Sequence, residues 1–355
     1  MKLKKLFAGV VAAAMIATMS FPAFATRSTP NVGANGLVTI TKNYKVVGTE
    51  DKKAPAETFN FTVTPGATIH TDSGDVEKTV EKSEATTIPA MAANSNEKTV
   101  AFTAALTEDG TGTFTVDVAN LNITKPGIYY YTVTETPSNT AGVDYAANPM
   151  IMVITAGYAD DGEDSTLSYW VGLHDSKGFN NKNKPFENTY TAGSLKVTKK
   201  VTGSLGNKDK KFKIDVTFTA PACKNVNSTI TYVNDGEKSI APAAWTLNTT
   251  TNKYEATVTV ELAHKGFVQF NNIPKDVTYV VNEQDYTGEE YTATYEDSKS
   301  GTIANDVKST TITNKRGDDT IDTGVILDNA PYMLMLAVVA GGAMTLVIKK
   351  RREEE

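Results

Sequence analysis

The chain has a single cysteine, Cys223, and only three histidines, and apart from its two ends it has no long apolar run. One cysteine excludes an intrachain disulfide and a cysteine-rich zinc site. The histidines, His70, His174 and His264, stand in separate segments. None has a matching nucleophile or a metal-ligand spacing, which argues against a hydrolase or a metalloenzyme and implies no metal and no cofactor. A formal net charge of −6 excludes the strongly basic surface expected of a nucleic-acid binder. Helical periodicity is nearly absent as well. What remains is 355 residues, 40% hydrophobic and 21% charged. That is an ordinary globular composition, long enough for about two domains.

Both ends carry targeting features. Lys2, Lys4 and Lys5 precede an apolar stretch from Leu6 to Phe21, and Ala23-Phe24-Ala25 follows as a small-x-small cleavage site. This pattern predicts a secretory signal peptide over 1–25, with an uncleaved anchor as the alternative. At the other end Ala330 to Ile348 is almost wholly apolar and is followed by Lys349, Lys350, Arg351 and Arg352. Such a span is about long enough to cross a bilayer with its basic tail held inside. Thr320-Ile321-Asp322-Thr323-Gly324 lies just upstream. The order of pentapeptide, spacer, span and basic tail over 320–355 resembles a Gram-positive sortase sorting signal. That resemblance implies cleavage between Thr323 and Gly324 and joining of Thr323 to an amine. The first two positions depart from LPxTG, and a permanent single-pass anchor is the alternative.

Between the ends, short runs rich in Val, Ile, Thr, Tyr and Phe recur, broken by Gly, Pro, Asn and Asp; LVTITK, TFNFTVTP, YYYTVTE and YEATVTVEL are examples. Many short alternating runs without helical spacers predict an all-β chain of sandwich type. Ser73 to Asn96 reads as a long polar loop with room for a short helix. The acidic run from Asp160 to Asp164 reads as a solvated turn, because it lacks calcium-loop spacing. A loose internal repeat divides the chain into domains at 30–190 and 191–316. The short join from Tyr190 to Ser194 favours two domains stacked end to end.

The repeat carries polar residues on apolar faces. Alternate residues of a strand point to opposite faces. Tyr129, Tyr131 and Val133 share a face with Glu135, and Val277, Tyr279 and Val281 share one with Glu283. Lys42 follows Val38 and Ile40 on one parity, and Lys199 follows Leu195 and Val197. Asn188 shares parity with Phe186, and Asn314 with Ile312. A lysine, a glutamate and an asparagine thus occur on core faces twice, in the same chain order. Lys200 has the wrong parity to compete, and Lys45 is expected past the end of its strand.

Burial lowers a lysine pKa and raises that of a carboxyl group. A neutral amine is a nucleophile, and a carboxyl can polarise an amide and move protons to its leaving group. The trio therefore permits a Lys–Asn isopeptide bond with loss of ammonia, formed once per domain and without a cofactor. The alternative has each lysine reaching water, each asparagine in turn contacts and each glutamate at a strand end.

The motifs ITKN at 40–43, KPGIYYYTVTE at 125–135, FEN at 186–188, LKVTKKVTG at 195–203, YVVNEQDY at 279–286 and TITNK at 311–315 carry a resemblance. On them the chain resembles the two-domain major pilins of Gram-positive sortase-assembled pili, the T-antigen or FctA type with streptococcal pilin isopeptide-linkage domains. The resemblance implies two tandem CnaB-like, reverse-immunoglobulin sandwiches. It implies bonds Lys42–Asn188 and Lys199–Asn314, assisted by Glu135 and Glu283. It also implies a lysine that receives the preceding subunit, with Lys182 the first candidate and Lys184 the second. The implied partners are a pilin-type sortase, identical subunits joined head to tail, minor pilins and peptidoglycan, with a location at the cell wall. A non-polymerising wall-anchored adhesin built from the same modules is the alternative.

Overall fold

The computed structural model describes residues 36–317, apart from 71–76, 81, 84–85, 90–96, 126, 159–166, 176–177, 183–184, 223, 236 and 240–243. The signal peptide at 1–25, the sorting signal at 320–355 with Thr323 and Gly324, the acidic turn and Lys184 lie outside the described residues. Among the described residues no helix is long and apolar enough to cross a membrane.

The fifteen principal strands, in chain order, fall in two groups. The first comprises β1 (Leu37–Gly48), β2 (Glu57–Pro65), β3 (Glu97–Phe102), β4 (Gly110–Asp117), β5 (Gly127–Thr136), β6 (Met150–Tyr158), β7 (Leu167–Asp175) and β8 (Gly178–Lys182). Next comes β9 (Phe186–Thr202), the longest strand. The second group comprises β10 (Phe212–Thr219), β11 (Lys253–Leu262), β12 (Phe267–Pro274), β13 (Thr278–Glu283), β14 (Thr292–Asp297) and β15 (Val307–Lys315). Short ribbons decorate this frame. Three of their strands, Glu77–Val80, Lys82–Ser83 and Thr86–Thr87, lie in the segment expected as a loop with a short helix. Thr79, Val80, Thr86 and Thr87 are β-branched and suit extended pairing better than a helical turn.

In the first half, β1 lies between β4 and the leading part of β9, and a second sheet runs β8-β7-β6-β5-β2-β3. The two sheets close over a core of Val38, Ile40, Tyr44, Phe59, Phe61, Phe114, Tyr131 and Val133. These are the inward residues of alternating strands, as period two requires. β6 is buried on both faces, because Ile151 and Val153 pack outward under Ala67 of the Ala67–His70 ribbon. In the second half, β9 pairs with β12 and β15, and a facing sheet places β10 between β11 and β13. Its core includes Leu195, Val197, Ile214, Val216, Phe218, Phe270 and Val281.

β9 belongs to both halves. Its leading part runs parallel to β1 and its trailing part parallel to β15. Even-numbered residues face the first core and odd-numbered residues face the second, as the buried Phe186, Asn188 and Tyr190 and then Leu195, Val197 and Lys199 attest. The passage from one core to the other coincides with a register shift against β12 between Gly193 and Leu195. The extra residue lies on β12, where Asn271 and Asn272 together oppose Ser194 of β9. β9 keeps its alternation, so its two faces serve the two cores. Gly193 is required there, since a Cβ would lie 2.2 Å from the Ala304 carbonyl oxygen.

Candidate functional site

Two polar clusters lie inside the two cores. In the first, Lys42 on β1, Glu135 on β5 and Asn188 on β9 are buried, with Lys42 and Asn188 at 0% exposure. Lys42 Nζ lies 2.8 Å from Glu135 Oε2. Asn188 donates from Nδ2 to Glu135 Oε1, and its Oδ1 accepts from the Ala146 backbone N–H at 2.7 Å. The ammonium also sits 4.4 Å from the centre of the Phe59 ring.

The second cluster repeats this plan. Lys199 on β9 lies 2.9 Å from Glu283 Oε1 at the end of β13, with side-chain exposures of 0% and 2%. Its Nζ sits 4.5 Å from the Phe212 ring centre and 3.5 Å from the Ile312 carbonyl oxygen. Asn314 on β15 is buried, and neither its Nδ2 nor its Oδ1 has a hydrogen-bond partner. Glu283 and Asn314 also line a cleft with Gln284, Tyr286 and Tyr291, of about 230 Å3.

The register makes the correspondence close. Lys42 pairs with Phe186, so Asn188 lies two residues further along the parallel neighbour. Lys199 pairs with Ile312, so Asn314 lies two residues further in the same sense. Across the sandwich, Glu135 pairs with Phe61 and Glu283 with Ile214, each two residues beyond the phenylalanine under its lysine. Parallel pairing with a two-residue offset keeps amine and carboxamide on one face of one sheet. The opposite sheet then brings in the acid.

Neither lysine reaches water. Desolvation pulls the Lys42 pKa down to about 8, against the hydrogen bond and charge of Glu135, which push it back up. The same opposition lowers that of Lys199. Lys45 lies inside β1 and not past its end; it points outward, 2.8 Å from Glu187, so parity and not position keeps it from the core. Lys200 is exposed on β9. Lys182 is the last residue of β8, opposite His174 in the register.

One group in the first cluster escaped sequence reasoning. The Ala146 donor is a backbone N–H, so no side-chain pattern marks it. It is brought in by the short Val143–Asp144 strand, which pairs with Tyr190 and Thr189 of β9.

Comparison with known proteins gives matches over both halves. Residues 38–191 match the family of Spy0128-like isopeptide-containing domains, and residues 193–316 match a domain of unknown function, DUF7601. A curated pilin of Streptococcus pyogenes serotype M1 is 26% identical over 331 residues, covering 88% of this chain and 90% of its own. The crystal structure of the major pilin from Streptococcus pyogenes superposes with a TM-score of 0.51 at 22% identity, over 80% of this chain and 99% of that one. The major pilin protein T3.2 of Streptococcus pyogenes superposes with a TM-score of 0.50 at 16% identity, over 79% and 99%. Residues 38–191 thus form a Spy0128-like isopeptide-containing domain, and over most of its length the chain is similar to a streptococcal pilin.

Proposed function

We propose that this chain is the shaft subunit of a covalently assembled surface pilus, and that each half closes on itself through a Lys–Asn isopeptide bond. The observation that carries the crosslinks is the repetition of one lysine–glutamate–asparagine arrangement, at the same two-residue offset, in both halves.

The chemistry follows from the contacts. Within the first pair, Lys42 passes a proton to Glu135, leaving a neutral amine and a protonated carboxyl. Nζ adds to the Asn188 carboxamide carbon. Glu135 gives its proton to Nδ2 and takes one from Nζ, the C–Nδ2 bond breaks, and ammonia leaves. One N–C bond forms, one breaks, and no electrons change hands. Lys199, Glu283 and Asn314 act likewise, with the adjoining cleft as an exit for ammonia. The product is self-modification, not turnover. Closing loops of this length stabilises each half by about 5 kcal/mol, on the disulfide analogy.

Assembly is the outer part of the reading. A pilin-type sortase would cut between Thr323 and Gly324 and join Thr323 to Lys182, or else Lys184, of the next identical subunit. Minor pilins and peptidoglycan complete the set of partners, at the cell surface. Intact mass tests the crosslinks: the mature chain should be short by two ammonia molecules, and Glu135→Ala and Glu283→Ala should each restore one. A full calculated mass for the unaltered chain would end that reading. A ladder of covalent multimers from the cell wall tests the shaft role, and wall protein of monomer size alone would refute it.

A further inference from the structure

We infer that Glu57, acting through Tyr145 and Thr140, is a positioning residue for the first crosslink, holding the 139–146 loop so that the Ala146 N–H polarises the Asn188 carbonyl under attack. The inference rests on the crosslink chemistry proposed above.

Glu57 opens β2 on its inward face and is 8% exposed. A buried carboxylate needs partners, and both of its oxygens have one. Thr140 Oγ1 donates to Oε2 at 2.8 Å, and the Tyr145 hydroxyl donates to Oε1 at 3.2 Å. The same hydroxyl accepts from the Thr140 backbone N–H at 3.2 Å, which closes the loop on itself. Gly142, at φ +80, makes the tight turn between them, and its carbonyl accepts from the Thr191 N–H of β9 at 2.8 Å. The loop is held by β9 and by the Asn225 carbonyl, which accepts from the Ala141 N–H at 2.8 Å, while Glu57 fixes its Tyr145 end, and Ala146 follows directly after Tyr145.

The chemical consequence falls on one oxygen. As Lys42 Nζ adds to the Asn188 carboxamide carbon, the carbonyl electron pair moves onto Oδ1. Ala146 N–H is already 2.7 Å from that atom. A fixed donor aimed where charge develops, in a site closed to water, stabilises the transition state without reorganising. The second half has no such donor, since Asn314 Oδ1 is without a partner. It therefore serves as an internal reference within the same molecule.

The test is the rate of each bond after synthesis. The full chain is made in a cell-free system and quenched in acid at intervals, and the crosslinked peptide of each site is quantified after proteolysis. Tyr145→Phe keeps the ring against Phe59 and removes the hydroxyl. Glu57→Ala removes the acceptor, and Glu57→Gln keeps an oxygen for Tyr145. We expect Tyr145→Phe and Glu57→Ala to slow the Lys42–Asn188 bond about tenfold, less than the roughly 100-fold or more for deleting such a donor outright. Glu57→Gln should restore most of the rate, and the Lys199–Asn314 bond should keep its rate throughout. An unchanged first bond, equal slowing of both bonds, or no rescue by Glu57→Gln would each overturn the inference. Absence of any ammonia loss in the unaltered chain is a separate result, which removes the underlying chemistry.

Discussion

The two clusters share their frame and differ in how the carboxamide is held. Lysine, acid, supporting phenylalanine and register offset are the same in both. Asn188 is pinned between an acid and a backbone donor, deep in the first core. Asn314 has neither hydrogen bond and borders an open cleft. The comparison separates what the reaction requires from what tunes it. Amine and amide on neighbouring parallel strands, with an acid from the facing sheet, are common to both halves; the added donor belongs to one.

The largest effect that could break the comparison comes from the amines. Lys42→Ala and Lys199→Ala should each abolish one ammonia loss and destabilise their own half by about 5 kcal/mol. Denaturant unfolding of each variant measures this, and a loss in only one half would mean that the clusters are not equivalent. Next is the effect of pH on a chain that cannot close the first loop. In Asn188→Ala the amine persists. Its folded pKa of about 8 lies below the ordinary lysine value of 10.5. Between these values the unfolded chain binds more protons, so stability should rise with pH through that window. Urea melts across it check the sign, and a fall in stability would contradict the burial argument. A smaller effect is expected at the junction. Asn272 accepts from the Lys53 N–H and the Tyr190 hydroxyl and donates to the Lys53 and Thr229 carbonyls. Asn272→Ala should cost about 1–3 kcal/mol in stability while leaving both ammonia losses intact. Small-angle scattering should then report a broader range of angles between the halves. The smallest effect belongs to Lys45→Ala, which removes an exposed ion pair. It should alter neither the mass deficit nor the melting measurably, in contrast to its neighbour three residues earlier.

Much of the first cluster could be read from strand parity. Glu135 after Tyr131 and Val133, and Lys42 after Ile40, put charge on faces that otherwise bury apolar side chains. Parity says nothing about which strands become neighbours, so the two-residue offset of Asn188 from Lys42 appeared only in the register. Parity puts Asn188 on an even and Lys199 on an odd position, but that the two lie on opposite faces of one strand, each under its own core, is visible only in the fold. The sequence suggested a join from Tyr190 to Ser194, but those residues lie within one unbroken strand. Lys45 lies within β1, which runs on to Gly48, and its outward parity alone keeps it from the cluster. The Ala146 donor and its support by Glu57 depend on how a loop folds back, and loop geometry leaves little trace in side-chain spacing.

The unbroken β9 has a mechanical consequence. With Lys182 as the joining amine, tension from one neighbour would enter just ahead of β9 and travel along it. It would cross from Lys199 to Asn314 and leave toward Thr323 and the other neighbour. Most of the first half, and the stretch from 200 to 313, would hang beside this line of load and not on it. Their outer loops could then change in length and composition without lengthening the fibre or weakening its pull.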